Sequence, residues 1–167
     1  MSRQILNIGE LEYRPWGHGD NFAARIGDIT TKIGAQKLGY NVTIVPAGKR
    51  AFPAHSHRVN EEMFYIIEGQ GEVRIGSERY PVRAGDIIAC PPGGPETAHQ
   101  IVNTSSADIK YLSVSTMMLP EVVDYPDSNK FGIYDERPGP AQQRDPKQKL
   151  FRFLGREAQS IDYWDGE

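Results

Sequence analysis

Short runs of alternating apolar and polar residues, broken by turns bearing glycine or proline, fill the chain from about residue 23 to residue 116. Tyr40-Asn-Val-Thr-Ile-Val45 is rich in β-branched residues and stops at Pro46-Ala-Gly48, as a strand and its turn do. In Glu72-Val-Arg-Ile75, apolar Val73 and Ile75 alternate with charged Glu72 and Arg74, the pattern of a half-buried strand. Gly76-Ser77 then supplies a two-residue hairpin loop into Glu78–Val82. Met63–Ile67, Ile87–Cys90 and Ile109–Thr116 read as further strands, and Ala23–Val45 as short strands separated by Gly27, Gly34 and Gly39. No ten-residue helical period occurs before residue 120. The pattern therefore predicts an all-β sandwich or barrel.

The two ends read differently. Residues 1–20 show no clear period, and Trp16, between Pro15 and Gly17, is expected to be an aromatic peg in a loop over one end of the barrel. Beyond Thr116, Glu121–Lys130 reads as a loop, and the polar, proline-rich stretch from Asp135 to Lys149 as a surface segment. Leu150-Phe-Arg-Phe-Leu154 is apolar enough to dock as a strand. Ile161-Asp-Tyr-Trp164 is expected to pack on the barrel or on a second subunit.

Composition narrows the function classes. Nineteen basic against 22 acidic residues leave a formal charge of −3 and no basic stripe, which argues against nucleic acid as a partner. The single cysteine, Cys90, precludes an internal disulfide, and its apolar run suits a buried, inert thiol. The first residues lack an apolar signal core, and no stretch approaches membrane-spanning length; a cytoplasmic protein is the expectation. Phosphate loops, nucleophile elbows and dinucleotide fingerprints are absent, and Gly69-Gln-Gly71 reads as a turn between strands. The carboxylate clusters Asp124/Asp127 and Asp135/Glu136 read as solvated loop charges.

The chemistry concentrates between Gly48 and Gly69. His55 and His57 are two apart, so in an extended strand they project to the same side and can grip one ion together. Asn60 marks a turn, and a hairpin entered at Glu62 can return a carboxylate to the pair; Glu61 is the rival, because the turn leaves the facing uncertain by one residue. Of the two remaining histidines, His99 closes a strand–turn–strand stretch, whereas His18 lies in a loop with no partner at chelating spacing. Without a metal, three histidines and a carboxylate inside a barrel would leave buried polar groups unsatisfied at about 1 to 3 kcal/mol each.

These residues resemble the two motifs of the cupin superfamily. His55-x-His57, four residues, Glu62, six residues and Gly69 is similar to the first; Gly85, five residues, Pro91-x-Gly93, then His99, three residues and Asn103 is similar to the second. Two turns are longer than the family's usual pattern. Six residues separate Gly48 from His55, and five separate Gly93 from His99, the second insertion (Gly94–Ala98) being expected to shape the pocket mouth.

The resemblance, to a small single-domain cupin of the type-2 kind, implies a double-stranded β-helix, or jelly-roll barrel, with N- and C-terminal extensions. One domain then spans residues 1–167, with a barrel core at about 23–116 and a tail at 117–167. It makes His55, His57, Glu62 and His99 the ligands of one divalent transition metal ion per chain: zinc, iron, manganese, nickel or copper.

By alternation, Phe64 and Ile66 beside Glu62, and Ile101 beside His99, face an apolar pocket with a charged floor, where Arg50 and Tyr65 are candidate polar contacts. The expected function is a metal-dependent enzyme acting on a small organic acid, phenol or sugar, of dioxygenase, isomerase or lyase type. The alternative is a barrel that binds or senses a small molecule without turnover. Exposed sheet edges and the aromatic tail predict a homodimer.

Overall fold

The structure, a computed structural model, describes residues 4–135 and 151–167. It is an all-β jelly roll in three antiparallel sheets. The largest has the order β1 (Arg14–His18), β2 (Phe22–Asp28), β3 (Leu38–Val45), β10 (Ile109–Thr116), β5 (Glu62–Glu68), β8 (Ile87–Cys90). A second runs β7 (Glu78–Arg83), β6 (Gln70–Ile75), β9 (His99–Val102). The third runs β13 (Phe151–Gly155), β12 (Lys130–Asp135), β11 (Glu121–Tyr125), β4 (Ser56–His57).

Alternation places the core as expected. Phe64 and Ile66 of β5, Tyr111 of β10, Val45 of β3 and Cys90 of β8 point inward and pack against Val73, Val82 and Ile101 of the three-stranded sheet. Burial, and then the charge of nearby Glu62, push the Cys90 thiol up to about 12, so it stays protonated and inert. The outer face of the large sheet is also covered: Leu11, Ile29 and Val42 form a second cluster with Tyr13, Tyr40 and Leu112. Helix α1 (Thr30–Ile33) and the N-terminal segment supply that cover, so β3 is buried on both faces.

Turn chemistry is legible at two glycines. Gly76 has φ +56° in the expected β6–β7 hairpin loop. Gly69, φ +82°, joins β5 to β6 where a Cβ would lie 2.4 Å from the Asp108 carbonyl, so only glycine fits. By contrast, Gly27 and Gly39 lie inside β2 and β3 and separate nothing; only Gly34, at the left-handed cap of α1, interrupts the chain.

Trp16 sits in a strand instead of a loop. All five residues of β1 are exposed, so no burial alternation betrays it, and an edge strand tolerates Pro15. The peg itself is real: Trp16 Nε1 donates to the Ala51 carbonyl at 3.0 Å and the ring lies 5.8 Å from Phe52.

Glu121–Tyr125 is strand β11, where a loop was expected, and it pairs with β4 through Val123 and His57. The reading missed it because one of its two buried positions is a glutamate. Phe151–Gly155 docks on β12 as expected, with Leu150 outside the described residues, as is most of the polar stretch before it. Asp124 and Asp127 hold Arg58 and Arg74 at 2.6 and 2.8 Å and form no acid pair. Asp135 is buried instead of solvated, and its neighbour Glu136 lies outside the described residues. No helix among the described residues is long and apolar enough to cross a membrane.

Candidate metal centre

The candidate ligands arrive from all three sheets. His57 ends β4, Glu62 opens β5 and His99 opens β9. His55, one residue before β4, is joined to β9 by a two-bond bridge: its N–H donates to the His99 carbonyl at 3.2 Å and its carbonyl accepts from the His99 N–H at 2.8 Å. That bridge fixes the two imidazoles with ring centres 4.7 Å apart, and His57 lies 5.1 Å from His55 on the same side.

Glu62, not Glu61, faces the histidines. Its Oε2 lies 2.9 Å from His99 Nε2, 3.5 Å from His57 Nε2 and 3.6 Å from His55 Nε2. Glu61 faces outward, and its N–H donates to Thr116 Oγ1. Among the described residues, His55, Glu62 and His99 offer ligating atoms all within 4.8 Å of one another, a group able to hold a metal ion. His57 stands at the margin of that group, held between two carboxylates, with Nδ1 3.5 Å from Glu121 Oε2. His18 is not in that group; it is exposed at the end of β1 and lines a cavity that also reaches His55.

Protonation favours cation binding. Burial works to raise the Glu62 carboxyl, but the His55, His57 and His99 imidazoles gathered around it outweigh that and hold the group well below the usual carboxylate range. Burial lowers His99, keeping it a neutral imidazole, the ligating form. At His57 burial also opposes charge, yet Glu62 and Glu121 prevail and raise its affinity for a proton, the mark of a place that attracts positive charge. His55 Nδ1 donates to the Pro53 carbonyl at 2.9 Å, which turns Nε2 toward Glu62. His57 Nε2 is buried without a hydrogen-bond partner at the focus of these groups. A cation would satisfy it, so the donor set fits a metal on the chemistry of its own atoms.

Two residues the sequence reading did not assign to the site build its support. Glu121 is buried and accepts from the N–H groups of Arg58, Val59, Asn60 and Val122 at 2.8 to 3.1 Å, and from the Asn60 side chain. Asn60, read only as a turn, ties that turn to Thr116 and Met118 as well. Glu121 thus fixes the segment that presents His57.

Two cavities meet at His55 and Tyr125. One, about 540 Å³, extends past Trp16, Phe22 and Arg50. The other, about 520 Å³, contains His57, Glu121, Met117 and Met118. Gly94–Ala98, expected at the pocket mouth, lines neither; Pro95–Thr97 is a 3-10 turn, and Gly93 N–H just before it bonds the His57 carbonyl. Tyr65 faces solvent, whereas Arg50 does line the first cavity.

The sequence of residues 41–115 matches the family model described as a cupin domain. The chain carries a cupin domain over that stretch. The cupin is 38% identical over 72 residues to an uncharacterized protein of Methanocaldococcus jannaschii, covering 43% of this chain and 54% of that one. It is 30% identical over 64 residues to the oxalate-binding protein of Thermotoga maritima, covering 38% and 50%. The matches thus span about half the length of these two relatives. A crystal structure of a sugar phosphate isomerase from a cupin superfamily, from Silicibacter pomeroyi, superposes with a TM-score of 0.75 over 96% of this cupin and 98% of that chain, at 21% identity. At that identity the likeness is one of fold.

Proposed function

We propose that this cupin is a metal-dependent enzyme in which His55, His57, Glu62 and His99 hold one divalent transition metal ion, and that it acts on a small hydroxylated acid, phenol or sugar. The observation that carries the reading is the focus of three imidazole Nε2 atoms on one carboxylate oxygen, all within 3.6 Å, beside two cavities. A bound ion of this kind supplies Lewis acidity toward a substrate oxygen.

The chain's own residues do the rest. Pro53 and Glu121 orient His55 and His57, Phe64 and Ile101 wall the site with apolar surface, and Tyr125 offers a phenol that burial and its neighbour Tyr134 keep protonated. The reaction type does not follow from the fold, which hosts many.

Protein purified without an affinity tag is expected to contain about one divalent ion per chain by elemental analysis. It should then turn over a member of a panel of hydroxy acids, phenols and sugars scored for isomerisation, decarboxylation and oxygen uptake, and lose that turnover on chelation. Absence of metal at full folding would refute the site. Metal with tight ligand binding but no turnover would replace the enzyme by a binding barrel.

The proposal extends to a homodimer. Strand β13 ends its sheet with an open edge among the described residues, and Ile161, Tyr163 and Trp164 are 73%, 85% and 71% exposed in the single chain, although large apolar side chains at a chain end favour cover. Light scattering at micromolar concentration is expected to give the mass of two chains, reduced toward one by Trp164→Ala. A monomer mass for the unaltered protein would refute it.

A further inference from the structure

The cavity of about 540 Å³ carries an imbalance of charge that the metal site does not explain. Arg50, Lys130 and Arg152 all line it. Its one acidic lining residue, Asp127, is already held by Arg74 at 2.8 Å. None of the three cations has a carboxylate partner among the described residues.

Each cation instead lies over an aromatic ring. Arg50 is 5.6 Å from the centre of Phe22, Lys130 5.0 Å from Tyr125, and Arg152 5.6 Å from Tyr134. Lys130 and Arg152 stand directly across the ladder from their tyrosines, so strand register sets both pairs. The Arg50 backbone is pinned on two sides by bridges to Phe22 and Val102, and its Nε is buried without a hydrogen-bond acceptor. Rings hold these charges in place without neutralising them, and an orphaned guanidinium N–H calls for an acceptor.

The cavity reaches the histidine cluster through one wall. Tyr125 lies 6.2 Å from the His55 ring and carries Lys130 over its face. Trp16, fixed by its bond to Ala51 and half-exposed, also lines the cavity and offers a rigid apolar face suited to the C–H surface of a carbohydrate.

We infer that this cavity is an anion subsite that takes the phosphomonoester end of a small polyhydroxylated molecule, with Arg50, Lys130 and Arg152 as its charge partners. Three cations match a dianion with three oxygens better than a single carboxylate, which one guanidinium satisfies in bidentate fashion. The inference rests on the proposed function only in taking the His55 end as the reacting end; the charge match stands apart from it.

Calorimetric titration of the purified protein with glucose 6-phosphate, glucose, gluconate and oxalate tests it. Glucose 6-phosphate is expected to bind at least about tenfold more tightly than the other three, with affinity falling as salt is raised. Lys130→Met and Arg152→Met, both on exposed or half-exposed strands, should each weaken it about tenfold while metal content and melting temperature stay unchanged. Arg50→Met should weaken it further.

Equal or tighter binding of gluconate or oxalate would overturn the phosphate assignment. Unaltered affinity in the lysine and arginine variants, or no binding of glucose 6-phosphate, would overturn the subsite. Because binding heat is the readout, protein that binds glucose 6-phosphate yet contains no metal defeats the proposed function and leaves the subsite standing.

Discussion

Glu62→Ala protein is expected to lose metal affinity by about 100-fold or more, whereas Glu61→Ala should retain it in full. The two residues are adjacent, and both carry carboxylates, so charge and composition change equally. Only facing differs: Glu62 Oε2 lies within 3.6 Å of three imidazole nitrogens, while Glu61 points outward beside Thr116. Removing Glu62 takes away the sole carboxylate at the focus and leaves imidazoles, which as neutral ligands cannot offset the ion's charge. Competition against a chromophoric chelator measures the loss. Wild-type affinity in Glu62→Ala, or loss in Glu61→Ala, would overturn the assignment. His57→Ala is expected to fall in the same direction, and His18→Ala to leave affinity untouched.

Glu121→Ala should be the most destabilising single change near the site. Its buried carboxylate accepts from four backbone N–H groups and the Asn60 side chain. Alanine leaves those donors without acceptors at about 1 to 3 kcal/mol each before relaxation, so a net loss of about 3 to 5 kcal/mol is reasonable. For a chain of this size that corresponds to a fall of roughly 10 °C in melting temperature. Glu121→Gln keeps the shape and one acceptor oxygen but turns a donor toward the Arg58–Asn60 turn, and should fall between. Thermal unfolding followed by circular dichroism in the presence of chelator isolates this structural effect from metal binding. A change below about 1 kcal/mol would show that the turn holds itself, and the orienting role given to Glu121 would fail.

Much of this was legible because it depends on alternation. Phe64, Ile66, Val73 and Ile101 fall inward for the same reason that His55 and His57 fall on one side, and Gly76-Ser77 names its own hairpin. The choice between Glu61 and Glu62 was not open to spacing, since it turns on where the chain re-enters a strand after Asn60. Glu121 was invisible because a buried glutamate in a short strand looks like loop polarity until the Arg58, Val59 and Asn60 donors, some 60 residues earlier in the chain, are brought against it. Arg50, Lys130 and Arg152 come from three distant segments, and no local pattern connects them.

The pairing of β11 with β4 also has a consequence for the order in which the molecule can be completed during synthesis. All four candidate ligands have left the ribosome's tunnel before residues 121–125 do, yet the two-residue strand bearing His57 has its ladder partner only in that later segment. A nascent chain that ends where the family match ends, at residue 115, holds every motif residue but lacks the strand that pairs with His57 and the carboxylate that caps the turn after it. On the proposed site, capture of an ion by all four ligands would await residues 121–125, which the motifs do not contain.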